Sequence, residues 1–148
     1  MQEVMLKHNL PATALFVAGM FAMGCGGGPA TAPVSGVVTY KGKPVPNADV
    51  TFAPDNGGRA ASGRTDANGR FTLGTFEVSD GALIGKHKVA VIANGPPRPA
   101  KPGEGSGMPG ETVPGEPVIP AKFFSPDTSG LLHEVKSGRN TIDLQLAD

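Results

Sequence analysis

A single cysteine, Cys25, stands in 148 residues. That excludes an internal disulfide and any zinc site built on several thiolates. Net charge is lacking as well: 13 basic residues offset 13 acidic ones. That neutrality argues against a nucleic-acid or other polyanion binder, whose affinity would come largely from a concentrated positive surface. No segment offers three turns of helical period, and no Gly-X-Y repeat runs through the chain, which excludes collagen. What is abundant is 22 Gly and 15 Pro, against an ordinary usage of roughly 7 % and 5 %. Both residues disfavour helix interiors. The composition thus points to a β-rich or partly unstructured chain, and function has to be read from position.

The N-terminus holds an apolar run from Leu10 to Met23, broken by Pro11 and Thr13. As a helix it would reach about 21 Å, short of the roughly 30 Å hydrocarbon core, so it suits a signal-peptide core better than a membrane span. The run ends at Ala22-Met23-Gly24-Cys25. Small residues before a solitary Cys resemble the lipobox of bacterial lipoproteins. The resemblance implies cleavage of a signal peptide of residues 1–24 and lipidation of Cys25, and hence a membrane partner reached through that anchor. Several acyl chains anchor stably where one holds only marginally. Ala22 stands where the family usually has Leu. An ordinary secretory signal, leaving Cys25 a free thiol, is the alternative. Gly26 after the Cys is compatible with outward sorting in enteric lipoproteins.

Residues 25–33 read as the lipidated Cys and a flexible Gly/Pro/Ala tether. From Val34 onward, strands are expected at Val34–Lys41, Ala48–Ala53, Ala60–Thr65, Arg70–Gly74, Ile84–Ala93, Leu131–Lys136 and Thr141–Leu146, by alternation and β-branched content. Ala48, Val50, Phe52, Phe71 and Leu73 should face inward, as should Ile142, Leu144 and Leu146. The last two strands read as a hairpin around Ser137-Gly138-Arg139-Asn140. Between Asn94 and Pro120 the alternation fails: 27 residues hold eight Pro and six Gly. That composition reads as a disordered or polyproline-like insertion, and leaves a small all-β domain over 34–148 of the two-sheet sandwich type.

The segment Ser35-Gly36-Val37-Val38-Thr39-Tyr40-Lys41-Gly42-Lys43-Pro44-Val45-Pro46-Asn47-Ala48-Asp49-Val50-Thr51-Phe52, followed by Thr65-Asp66-Ala67-Asn68-Gly69-Arg70-Phe71 and the valine-rich strand from Lys86 to Ile92, resembles carboxypeptidase regulatory-like domains. The closing Ile119–Phe124 and Ser129–Leu146 resemble small bacterial lipoproteins that carry this domain. The resemblance implies a seven-stranded transthyretin-like β-sandwich, and function only weakly. The residues it rests on also have folding roles: Gly36 for close backbone approach, Pro44 and Pro46 for preset turn dihedrals, Asn47 for an unusual one, and Asp66 and Gly69 for an Asx turn with positive φ.

No catalytic constellation emerges. The fold's enzyme, 5-hydroxyisourate hydrolase, carries a C-terminal Tyr-Arg-Gly-Ser signature, whereas this chain ends Leu144-Gln145-Leu146-Ala147-Asp148. There is no Gly-x-Ser-x-Gly elbow and no phosphate loop. Asp66-Ala67-Asn68-Gly69 lacks the Glu that would complete a calcium loop, since Thr75 stands there. His87 and His133 read as half-buried sheet residues that nothing in the sequence brings together. A crosslink from Lys41 or Lys43 to Asn140 is conceivable. The expectation is a non-enzymatic, lipid-anchored structural or binding module of the cell envelope, without cofactor or metal and with no nucleic-acid partner. An envelope protein or polysaccharide is a candidate partner, with Pro96-Pro97-Arg98-Pro99 and Pro114-Gly115-Glu116-Pro117 as candidate docking segments; the competing reading of the insertion is a spacer loop that touches nothing. The alternatives are a sugar- or peptide-binding accessory subunit of an envelope enzyme and, more distantly, a stand-alone hydrolase.

Overall fold

The computed structural model describes residues 29–148; the expected signal peptide, Cys25 and the first residues of the expected tether lie outside them. The described chain is built of strands, with one short 3-10 turn and no α-helix. In chain order the strands are β1 (Thr31–Ala32), β2 (Val34–Tyr40), β3 (Lys43–Pro44), β4 (Asp49–Pro54), β5 (Ala61–Arg64), β6 (Arg70–Thr72), β7 (Ala82–Leu83), β8 (Gly85–Ile92), β9 (Arg98–Pro99), β10 (Thr112–Val113), β11 (Leu131–Val135), β12 (Asn140–Thr141) and β13 (Leu144–Leu146). The seven expected strands are all present, β12 and β13 together filling the last. The others are two-residue pairs that no period could reveal.

One sheet has the order β11-β8-β4-β5, every neighbour antiparallel. The second is centred on β2, with β6 and β3 antiparallel on one side and β12 and β13 parallel on the other. The two sheets meet at a corner, where Ser62 bridges Gly74. Alternation places Val50 and Phe52 of β4 and Val89 and Val91 of β8 in one apolar core with Val34 and Val38 of β2, Phe71 of β6 and Leu144 and Leu146 of β13. The rings of Phe52 and Phe71, one from each sheet, lie 6.4 Å apart. Ile142, expected inward, is only partly buried.

The hairpin expected at the C-terminus does not form. β11 pairs with β8, while β12 and β13 cross to the other sheet and run parallel to β2. Asn140 opposes Val34 and Leu144 opposes Val38, a constant register across the gap between the two short strands. In that gap the Asp143 carboxylate accepts the Val37 N–H at 3.1 Å, standing in for a backbone carbonyl. Gly36 lies opposite, and a Cβ there would come within 1.8 Å of the Ile142 carbonyl oxygen. The close approach expected of this glycine is therefore real.

The tether ends earlier than its composition suggests. Thr31–Ala32 pairs with Ala82–Leu83, and Ala32 is buried. The 94–120 segment, expected to be disordered, carries its own hydrogen-bonded ribbon. Gly95 N–H donates to Glu116, Val118 N–H to Ala93 and Ala100 N–H to Glu111, and β9 pairs with β10. Ionic contacts supply what apolar burial does not. The Arg98 guanidinium grips Glu104 through two hydrogen bonds of 2.8 and 3.0 Å. Glu111 accepts both the N–H and the hydroxyl of Ser106. Beyond the ribbon, the 3-10 turn Ala121–Phe124 sends Phe123 into the core.

Candidate functional site

A cleft of ≈ 570 Å³ lies where the foot of the ribbon meets the edge of the β2 sheet. Its floor comes from sequence features that enforce turns. Lys41 and Gly42 have φ of 51° and 76°, the pair of positive values that a two-residue hairpin turn of the primed type requires. This turn folds β3 onto β2, with Tyr40 opposite Lys43. Pro46 and Asn47 turn the chain again, Asn47 with φ 55°.

Thr65 holds that second turn in place. Its buried hydroxyl accepts the Ala48 N–H at 2.8 Å and donates to the Val45 carbonyl at 2.7 Å. The backbone adds a bond from the Asn47 N–H to the Thr65 carbonyl, 3.1 Å. The opposite wall is Asn94, Gly95, Pro96 and Pro97 at the foot of the ribbon. Pro96 and Pro97, from a segment named in the sequence, thus form part of that wall.

Chemically, the cleft offers the ring of Tyr40 and the rings of four prolines as apolar surface, two asparagine amides, and two cations, Lys43 and Arg64. No carboxylate lines it; Asp49, outside the lining, stands 3.7 Å from the Arg64 guanidinium. Tyr40 donates its hydroxyl hydrogen bond to Asp148, which Lys41 also engages, and Lys41 and Tyr40 hold that carboxyl below the usual range. The last residue of the chain thereby orients the only tyrosine. Tyr40, Arg64 and Asn94 had no signal of their own in the sequence; each becomes a wall residue only through strand register.

A second constellation was not expected. His87 of β8 and His133 of β11 are directly paired across the ladder. His87 is buried, and its Nε2 lies 2.7 Å from the Leu83 carbonyl. A carbonyl only accepts, so Nε2 is the donor; Nδ1 has no hydrogen-bond partner. The ring of Phe52 packs against both imidazoles, at 5.8 and 6.3 Å. Asp55 and Glu134 border the same ≈ 360 Å³ recess. Among the described residues no three His, Cys, Asp or Glu side chains converge on a point where a metal could sit. Burial alone lowers the His133 pKa below its ordinary value.

The remaining candidates resolve into structural roles. The Asp66 carboxylate accepts the N–H groups of Asn68 and Arg70, at 2.8 and 3.0 Å, and Gly69 has φ 73°, an Asx turn. The Asn140 amide is used within its own turn, bonding Lys136 and Gly138, while Lys41 pairs with Asp148. Among the described residues no helix is long and apolar enough to cross a membrane. No family model matches the chain, and neither does any curated protein or solved structure at a significant level.

Proposed function

We propose that this chain is a lipid-anchored, non-enzymatic binding module of the bacterial cell envelope. Its two sheets are read as a transthyretin-like sandwich of the carboxypeptidase regulatory-like kind, held at the membrane by an acylated Cys25. The sequence from Leu10 to Cys25 supports the anchor. The observation that carries the binding role is the cleft between Val45–Asn47 and Asn94–Pro97. It is open, walled by rings and amides, and has two cations without a lining acid.

Ring faces suit sugar rings, amides suit hydroxyls, and two separated cations suit scattered carboxylates rather than a dense polyanion. The occupant proposed is therefore a cell-wall polysaccharide bearing isolated carboxylates. The test is co-sedimentation of the purified domain with insoluble peptidoglycan. Retention that falls with added salt and is lost in Arg64→Ala supports the reading. A domain that stays in the supernatant, or an Arg64→Ala variant retained as well as the parent, overturns it. Retention on an immobilised acidic peptide instead would identify the accessory-subunit alternative.

A further inference from the structure

The loop between β6 and β7 presents apolar side chains to water without an internal reason to do so. Phe76 is 49 % exposed and Val78 is 96 % exposed. Ile84, just after β7, is 43 % exposed. The loop is built to hold this form. The Asp80 carboxylate accepts the N–H groups of Thr75, Phe76 and Glu77, at 2.5, 3.0 and 3.2 Å. Thr75 is buried and its hydroxyl donates to the Gly81 carbonyl at 2.8 Å. An apolar tip fixed in this way loses no further conformational freedom on meeting a surface.

Phe76 and Ile84 line one ≈ 440 Å³ recess together with Arg59 and with Pro29 and Ala30, the first described residues of the chain. The Ile84 N–H donates to the Ala30 carbonyl at 3.1 Å, which ties the entering chain to this end of the domain. Cys25 precedes Pro29 by four residues, a reach of at most about 14 Å at roughly 3.3–3.6 Å per residue. The Arg59 guanidinium lies 5.8 Å from the centroid of the Phe76 ring, an aromatic beside a cation, the pairing that sits well between acyl chains and phosphates. Of the acids on the loop, Asp80 is engaged by backbone N–H groups and Glu77 is exposed. Contact would therefore be driven by the apolar tips and not by net charge.

We propose that Phe76, Val78 and Ile84, with Arg59, form a membrane-contacting face that seats the domain on the phospholipid surface holding its anchor. This rests on the reading of Cys25 as the lipidated residue. It orients the molecule, because the face beside the tether is covered by lipid while the rest of the domain stays in water.

The chain contains no tryptophan, so Phe76→Trp creates a single emitter in the full lipoprotein. The probe is a vesicle of phosphatidylethanolamine and phosphatidylglycerol containing lipids brominated along the acyl chains. The proposal expects blue-shifted emission quenched by the brominated lipid, whereas Leu132→Trp, at a residue 71 % exposed on β11, stays red-shifted and unquenched. Intact mass of the same sample reports whether Cys25 carries acyl chains. Acylated protein with an unquenched tryptophan at position 76 overturns this face and leaves the anchor standing, as does a blue shift without quenching, which marks a protein partner or a second copy. An unmodified Cys25 removes the anchor and the membrane face together.

Discussion

His87 and His133 stand opposite each other on β8 and β11, with the ring of Phe52 against both. Burial disfavours the charged form of His133 and holds its pKa below the ordinary 6.5. The unfolded chain then binds a proton more readily than the folded one. The stabilising contribution is complete above pH 6.5 and is lost as pH falls from there through the lower folded pKa. Urea midpoints should therefore drop between pH 7.5 and pH 5, and His133→Phe should flatten that slope. An unchanged slope in the variant would show that His133 is not its source.

Thr65→Val should be costly despite its similar shape. It removes the acceptor of the buried Ala48 N–H and the donor to the Val45 carbonyl. Unsatisfied buried groups of this kind cost about 1–3 kcal/mol each, so a loss of roughly 2–4 kcal/mol is expected by denaturant unfolding. The Val45–Asn47 wall would loosen too, and retention on peptidoglycan should weaken at temperatures where the variant is still folded.

Gly36→Ala tests the parallel pairing of β2 with the C-terminal strands. The added methyl would meet the Ile142 carbonyl oxygen at 1.8 Å, backbone that has no room to yield. Strand separation should cost about 3 kcal/mol, at the upper end for overpacking. Amide exchange should rise first at Ile142, whose N–H bonds the Ser35 carbonyl. Equal stability of the variant would contradict this register.

In the ribbon, the Arg98 guanidinium and the Lys101 N–H together hold the Glu104 pKa at about 2. A depressed carboxylate pKa stabilises the ribbon above the ordinary 4.5 and loses that contribution as pH falls toward about 2. Glu104→Gln should remove it at every pH. Limited proteolysis is the readout: cleavage between residues 94 and 120 should be several times faster in the variant at pH 7, with the rest of the domain intact.

The strands with clear alternation were legible in the sequence. Val50 and Phe52 of β4, Val89 and Val91 of β8, and Leu144 and Leu146 of β13 face the core as their spacing indicates. A period identifies which face is buried but not which strand lies alongside. For that reason β13 reads equally well as a hairpin partner of β11 and as the parallel neighbour of β2 that it is. The histidine pair was hidden by the same gap, since it exists only through the β8–β11 register. The ribbon was hidden for a different reason. Its order comes from backbone pairing and from Arg98–Glu104 and Ser106–Glu111 contacts rather than burial, and a Pro/Gly-rich composition conceals those. Turn chemistry was the most faithful signal, with Asn47 and Gly69 both at the positive φ expected of them. The cleft itself left little local trace, because its walls, Val45–Asn47 and Asn94–Pro97, lie far apart in the chain.

The anchor is the claim on which location, orientation and access to the cell wall all depend. Mass spectrometry of the N-terminal peptide from protein expressed in a bacterial host tests it most directly. The account predicts a mature chain beginning at Cys25 and carrying acyl chains, absent in Cys25→Ser. A mature N-terminus elsewhere, with Cys25 present as a free thiol, would contradict it.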